Sequence, residues 1–432
     1  MKSLSIKPIN CRQCPSCYEA RIGGIEWDID LVINAMIKYD IERFKWKRIN
    51  PDCHLEGHTI HGGEPLLLNR RDLKRLLRYS HFLFKKSGIQ TNLIHMKRED
   101  IELFKKYETN VGISIDGHTV GMNKGRFPIN TSKQARKKTL DIVLKNIKML
   151  HKGGVRLSVI IILRECNKNI EMLDKFIELL GKHNFLSISL IPGTVYDENL
   201  KKEEIKCDDL FNIYKHIFDG NYHIKILPLT DIIDGLNGHI GNMVCSFRDC
   251  DPWTSTAELA LTGTGELGSC LHAGGALDGL QMIKGDKVST ERQEALTQTP
   301  IDQGGCRDCK FWHMCGGGCP GQAIDNDYRN KTRFCNGFLQ TYNYIYDKIK
   351  AIYPNVYLTP DFYPNPPDRK YIAQSINEST HKEAMRIKHP KKEKTVWKDI
   401  ILPGDIRHGD SNDPAWLALN PEWEKINNET DK

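Results

Sequence analysis

The chain has 432 residues, 39% hydrophobic and 27% charged, a balance that fits a globular protein with room for two or three domains and excludes a long disordered polymer. It contains no run of about 18 apolar residues and no basic-then-apolar signal pattern at its N-terminus, so it reads as a cytoplasmic protein without a membrane anchor. The net charge of +7 sits largely in short clusters such as Arg70-Arg71, Arg136-Lys137-Lys138 and Lys391-Lys392. These lack interleaved aromatics, so solvated faces are expected rather than a nucleic-acid surface.

In chain order, Leu4-Ser5-Ile6 reads as a short strand feeding Asn10-Cys11-Arg12-Gln13-Cys14-Pro15-Ser16-Cys17-Tyr18, three cysteines at two-residue intervals. Three thiolates so close can converge on one metal centre, and three rather than four would leave one iron of a four-iron cubane open to another ligand. Half of a zinc site or a redox CxxC pair would use the same residues. Leu31 to Phe44 carries apolar residues at helical spacing. Thr59-Ile60-His61-Gly62-Gly63-Glu64-Pro65-Leu66 follows, a strand running into two glycines and a proline. Glycines there let the backbone approach a ligand and the acid can accept from a ligand amine, while a plain tight turn explains the same string.

Leu66 to Phe84 reads as a helix, Ile89 to Leu93 as a strand, Glu99 to Lys106 as a helix and Val111 to Asp116 as a strand. A helix from Ala135 to Lys152, a strand from Val155 to Leu163, a helix from Ile170 to Lys182 and a strand from Leu186 to Leu190 continue the alternation. Such alternation predicts parallel strands joined by helical crossovers, with chemistry at the strands' carboxyl ends. The cysteine triplet, Gly62 to Pro65 and Ser114 to Asp116 all fall at such ends.

Fourteen cysteines in a cytosolic chain point to metal rather than to disulfides. Beyond the triplet, eight lie between Cys245 and Cys335, and Cys53, Cys166 and Cys207 stand alone as expected small apolar core residues.

The triplet, Gly62-Gly63-Glu64-Pro65, Gln90-Thr91-Asn92 and Ile113-Ser114-Ile115-Asp116-Gly117 together resemble the radical S-adenosylmethionine (SAM) enzymes, over roughly the first 230 residues. The resemblance implies a partial (β/α)6 TIM-type barrel whose Cys11, Cys14 and Cys17 hold a [4Fe-4S] cluster, with SAM chelated to its open iron. It further implies that Gly62, Gly63, Glu64 and Pro65 bind the methionine amine, and that Ser114, Asp116 and Arg126 hold ribose or carboxylate. One departure stands out: the family's usual triplet has three residues between its first two cysteines, whereas Cys11 and Cys14 have two, with Asn10 in the usual first position.

Further on, Cys306-Arg307-Asp308-Cys309, Cys315, Cys319 and Cys335, preceded by Cys245, Cys250 and Gly265 five positions before Cys270, resemble the SPASM extension that carries two auxiliary iron-sulfur clusters. Its crossed ligation implies one cluster on Cys245, Cys250, Cys270 and Cys319 and another on Cys306, Cys309, Cys315 and Cys335. A zinc ribbon is the competing reading of the CxxC pairs. Gly316, Gly317 and Gly318 suit either, since glycines wrap a metal centre and present N–H groups to sulfur.

The implied division is a barrel at 1–230, a cysteine-rich iron-sulfur domain at 231–352 and a polar C-terminal arm at 353–432, with no separate domain ahead of the barrel. The arm carries Pro360, Pro364, Pro366 and Pro367; Trp397, Trp416 and Trp423 can dock it, and His408-Gly409-Asp410 reads as an exposed turn. The implied activity is reductive cleavage of SAM and hydrogen abstraction from a peptide or protein substrate, giving oxidation or cross-linking, with a flavodoxin- or ferredoxin-type electron donor. Sulfatase-maturing relatives place an aspartate directly after the cysteine corresponding to Cys270, where this chain has Leu271. Small-molecule dehydrogenation and a non-enzymatic iron-sulfur carrier remain as alternatives.

Overall fold

The computed structural model describes residues 3–6, 26–49, 57–128, 130–183, 185–195, 198–220, 222–237, 258–268, 270, 272 and 291–362. Cys11, Cys14, Cys17, Cys53, Cys245 and Cys250, Leu271 and residues 363–432 of the arm, with His408 to Asp410 and its tryptophans, lie outside them.

Strands and helices alternate from β1 (Ser3–Ile6) through α1 (Ile29–Ile49), β2 (His58–Ile60), α2 (Arg70–Phe84), β3 (Ser87–Thr91), α3 (Arg98–Lys106), β4 (Thr109–Ser114) and α4 (Lys133–Lys152). The series continues with β5 (Arg156–Leu163), α5 (Ile170–Gly181), β6 (Ser187–Pro192), α6 (Cys207–Asp219), β7 (Lys225–Leu227) and α7 (Leu229–Leu236). Buried residues recur at helical spacing, as Leu173, Phe176, Ile177 and Leu180 on α5 and Leu210, Ile213, Tyr214 and Ile217 on α6. Side chains of Asn69, Ser132 and Asn169 accept from Asp72, Ala135 and Met172 N–H groups and start α2, α4 and α5. The predicted helix from Leu66 is corrected by this cap: Pro65–Leu67 is a separate 3-10 turn, and α2 begins after Asn69. The third strand ends at Thr91 rather than Leu93, because Leu93 takes a positive φ of 60°.

All the strands from β1 to β7 pair in parallel and in sequence order. That is the progression of a (β/α) barrel left open. A strand the sequence reading did not pick out, β8 (Glu258–Leu261), pairs in parallel with β1, and β9 (Leu267–Gly268) pairs antiparallel with β8. A segment of the cysteine-rich half thus extends the sheet beside the first strand.

The two sheet faces differ in chemistry. One buries Ile89, Val111, Ile113, Leu157, Val159, Ile161, Ile188 and Leu190 in the core that it shares with the helices. The other presents Gln90, Ser114, Ser158, Ser187 and Ser189, all half-buried. Ile160, Ile162 and Ile191 share this half-buried face, so the alternation sets a mixed polar and apolar surface on the concave side against a buried apolar one. The remaining helices are α8 (Glu291–Gln298), α9 (Trp312–Cys315), α10 (Cys335–Ile352) and α11 (Thr359–Phe362). The long α10 packs along α6, with Tyr214 and Phe338 ring centroids 6.0 Å apart. No helix among the described residues is long and apolar enough to cross a membrane.

Candidate functional site

At the carboxyl end of β2 the chain turns through Gly62 and Gly63, with φ of 105° and 65°. Both angles lie where a side chain is strained, so glycine is required there for the backbone alone. Glu64 then points inward and is 1% exposed. Its Oε1 accepts from Leu66 N–H at 3.0 Å and from the Thr91 hydroxyl at 2.6 Å, and its Oε2 accepts from Asn92 N–H at 2.8 Å. The carboxylate therefore ties the end of β2 to the end of β3. Of its roughly four acceptor positions, three are taken within the chain. Burial raises its pKa, and the bonds from Thr91, Asn92 and Leu66 oppose that rise. Pro65 follows at the start of the 3-10 turn and is buried.

Two strands along, Ser114 Oγ accepts from Gln90 Nε2 at 2.8 Å. Gln90 can lie across β4 because its register partner there is Gly112, where a Cβ would fall 2.0 Å from Gln90 Oε1. Asp116, 1% exposed, accepts through Oδ1 from Arg126 Nη2 at 2.7 Å and from Ile162 N–H at 2.8 Å. The Asn123 side chain accepts from Asp116 N–H and donates to Gly117 O, holding the loop that carries Arg126 against the strand ends. Asn167 Nδ2 reaches both Asp116 O and Ile162 O. Ser114, Asp116 and Arg126 thus gather at the carboxyl ends of β4 and β5, on the same sheet edge as Gly62 to Pro65.

In the cysteine-rich half, Cys306, Cys309, Cys315 and Cys335 line a single small cavity together with Ile301, Trp312, Tyr342 and Lys331. Burial, then the neighbouring thiols, pushes Cys306 well up and Cys315 up to about 12; burial likewise raises Cys309 and Cys335. Four thiols that repel one another's ionisation in an apolar cavity become good ligands once a cationic centre is present. Phe311 N–H beside Cys309, Gly317 N–H beside Cys315 and the Lys331 charge beside Cys335 oppose that rise. Among the described residues no three His, Cys, Asp or Glu side chains are grouped to hold a single metal ion. Four cysteines lining one cavity are the four-thiolate donor set that a [4Fe-4S] cluster takes, so the residues present fit one.

Cys319 is not among the cavity's residues. Its Sγ lies 3.3 Å from His272 Nδ1. Burial raises this thiol, but the charge and hydrogen bond of His272, with Gly321 N–H and Arg292, outweigh it and the net shift is downward. Cys270 is half-buried; its expected co-ligands Cys245 and Cys250 fall outside the described residues. Cys166 and Cys207, expected as plain core residues, are instead half-buried and direct their S–H groups at Met122 O and Arg333 O, each at 3.6 Å.

The cysteine-rich half is fastened to the sheet edge. Gln322, 4% exposed, donates from Nε2 to Pro192 O at the end of β6, at 2.8 Å. Arg333 pairs with Glu204 at 3.5 Å, and Glu204 accepts from Val195 N–H just past β6. Sequence reasoning missed Gln322, Lys331, Tyr342 and Arg292. None of them carried a local signal: Arg292 meets its carbonyls 24 to 36 residues on, and Gln322 meets Pro192 O 130 residues back.

Residues 11–180 match the Radical SAM superfamily. The chain is 24% identical over 370 residues to the cysteine-type anaerobic sulfatase-maturating enzyme of Clostridium novyi (strain NT), covering 78% of this chain and 94% of that one. Its fold is similar to native anSMEcpe with bound AdoMet and Kp18Cys peptide, with a TM-score of 0.56 at 17% identity over 82% of this chain and 99% of the other. It is also similar to Streptococcus suis SuiB bound to S-adenosylmethionine, with a TM-score of 0.55 at 15% identity over 77% and 76% of the two chains. The glycine turn and strands β2 to β5 lie within the stretch, residues 11–180, that matches the Radical SAM superfamily.

Proposed function

We propose that this protein is a radical SAM oxidoreductase that oxidises or cross-links a residue of a peptide or protein substrate. The observation that carries the reading is the convergence of Cys306, Cys309, Cys315 and Cys335 on one cavity, in a chain whose residues 11–180 match the Radical SAM superfamily. A peptide as substrate class is supported by the sulfatase-maturating relative and by the peptide in the similar anSMEcpe structure. The proposed units are a barrel at 1–230, an auxiliary-cluster domain at 231–352 and an arm from 353.

Cys11, Cys14 and Cys17 would hold a [4Fe-4S] cluster that, with SAM bound, would supply radical chemistry for hydrogen abstraction. The chain's own residues position and shield. Glu64 fixes the Gly62-Gly63 turn through three hydrogen bonds and keeps about one acceptor position for an ammonium group. Because Gln90 donates to Ser114 Oγ, the Ser114 hydroxyl keeps its hydrogen to donate to a ribose oxygen. Asp116 orients Arg126 toward a carboxylate. Cys306, Cys309, Cys315 and Cys335 would hold one auxiliary cluster, and Cys245, Cys250, Cys270 and Cys319 the other; with all positions ligated, these would serve electron transfer away from the substrate.

Anaerobically reconstituted protein is expected to carry about twelve irons, four per cluster. Changing Cys11, Cys14 and Cys17 to alanine should remove about a third of them and abolish SAM cleavage, whereas changing Cys309 and Cys335 should leave SAM cleavage and stop substrate turnover. Tightly bound zinc at comparable stoichiometry would overturn the reading.

A further inference from the structure

Arg292, on α8, is 0% exposed, and no carboxylate pairs with it among the described residues. Its guanidinium is satisfied by carbonyls: Nε donates to Tyr328 O at 2.7 Å, Nη1 to Gly316 O at 3.1 Å, and Nη2 to Gly317 O at 3.3 Å and Gly318 O at 3.0 Å. Those three glycines have φ of 56°, 79° and 75°, so their carbonyls can turn toward one donor fork. Arginine stays charged in any protein environment, and a buried charge without a counter-charge is costly. Carbonyl dipoles alone are weak compensation for a full positive charge.

The position of the turn supplies the missing half. Cys315 immediately precedes the three glycines and Cys319 immediately follows them. In the reading above, these two cysteines belong to different clusters. Arg292 Nη1 and Nη2 thus hold the backbone of all three residues that separate Cys315 from Cys319. A thiolate-ligated cubane carries net negative charge, and adding an electron makes it more negative.

We infer that Arg292 is the shared counter-ion of both auxiliary centres: its fork fixes the turn that joins them, and its charge favours the reduced state of each. This rests on reading both cysteine sets as cluster ligands. It makes Arg292 a positioning residue that touches neither SAM nor substrate.

The test uses the full-length, anaerobically reconstituted protein in three forms, native, Arg292→Gln and Arg292→Lys. Iron and zinc content are measured first, then the midpoint potentials of the auxiliary centres by redox titration followed by electron paramagnetic resonance. Zinc in place of iron in the native protein would overturn the functional reading and the counter-ion role together, because neither centre would then have a reduced state to favour. With iron present, Arg292→Gln should shift both auxiliary midpoints to more negative potential while Arg292→Lys keeps them near native. If Arg292→Gln fails to hold its auxiliary clusters, Arg292→Lys must still hold them at near-native potentials. Unchanged potentials in Arg292→Gln, a shift at one centre alone, or loss of the clusters in both variants would each overturn the shared counter-ion role.

Discussion

Replacing Glu64 by glutamine keeps the side chain's volume and removes its charge and two of its acceptor positions. The native carboxylate faces three donors, Leu66 N–H and the Thr91 hydroxyl at Oε1 and Asn92 N–H at Oε2. An amide has one oxygen. If that oxygen takes Oε1, its NH2 group confronts the Asn92 N–H. If it is flipped, the NH2 confronts the Leu66 N–H, and Thr91 must turn its hydroxyl round to accept. Either orientation leaves a buried donor facing a donor. A hydrogen bond to a charged group is worth about 1.5–3 kcal/mol, and an unsatisfied buried partner costs about 1–3 kcal/mol. Glu64→Gln should therefore lower stability by roughly 2–3 kcal/mol, and Glu64→Ala, which strands all three donors, by roughly 3–5 kcal/mol.

Denaturant unfolding of the SAM-free protein measures this, because ligand binding does not enter. Equilibrium binding of SAM should weaken in the same variants, since the ammonium loses its acceptor and the turn its brace. A Glu64→Gln protein as stable as the native one would refute the bracing argument and leave Glu64 as a ligand contact alone. A stability loss with unchanged SAM affinity would instead make the turn purely structural.

Gly112→Ala places a methyl 2.0 Å from Gln90 Oε1; Gln90 should swing off Ser114, weakening SAM binding by calorimetry while iron content and the far-ultraviolet dichroism stay native. Burial raises the Asp361 carboxyl, but bonds from Leu358 N–H, Lys350 and Tyr346 outweigh it and hold it at about 2, below the ordinary 3.8. A depressed carboxyl contributes stability above its unfolded pKa and loses it as pH falls, so protection of the Leu358 amide, corrected for intrinsic exchange, should decline from about pH 4 to about pH 2. Asp361→Asn should abolish that decline, and an unchanged pH profile in the variant would contradict the assignment.

The alternating elements were legible because each strand and helix carries its own period, and α2, α4 and α5 carry their own caps as well: α5 starts where Asn169 can accept from Met172 N–H. The glycine turn was legible as a turn, since positive φ is a local demand. What Glu64 does there was not. Its partners Thr91 and Asn92 stand 27 and 28 residues away, and only the parallel register of β2 with β3 brings them alongside. The same holds for β8, a four-residue strand whose place is set by pairing with β1 at the other end of the chain. Arg292 sits in a helix rich in polar side chains and reads as surface charge, because its burial is decided by carbonyls 24 to 36 residues downstream.

The connection between the cysteine-rich half and the sheet follows from one short stretch. Cys315 lines the four-cysteine cavity, Gly316 to Gly318 hang on Arg292, Cys319 meets His272, and Gln322 ends the stretch on Pro192 O at the end of β6. Both ends of this stretch are held by buried groups, a guanidinium that is 0% exposed and an amide that is 4% exposed. Buried polar groups with their partners satisfied fix position as well as contributing energy, since any displacement strands them. The spacing between the cavity and the carboxyl end of the sheet is thereby set by the backbone of a few residues rather than by loose packing between two units. An electron-transfer role is served by such a fixed spacing, and among the described residues Arg292, Gln322 and the Arg333–Glu204 pair contribute to holding it.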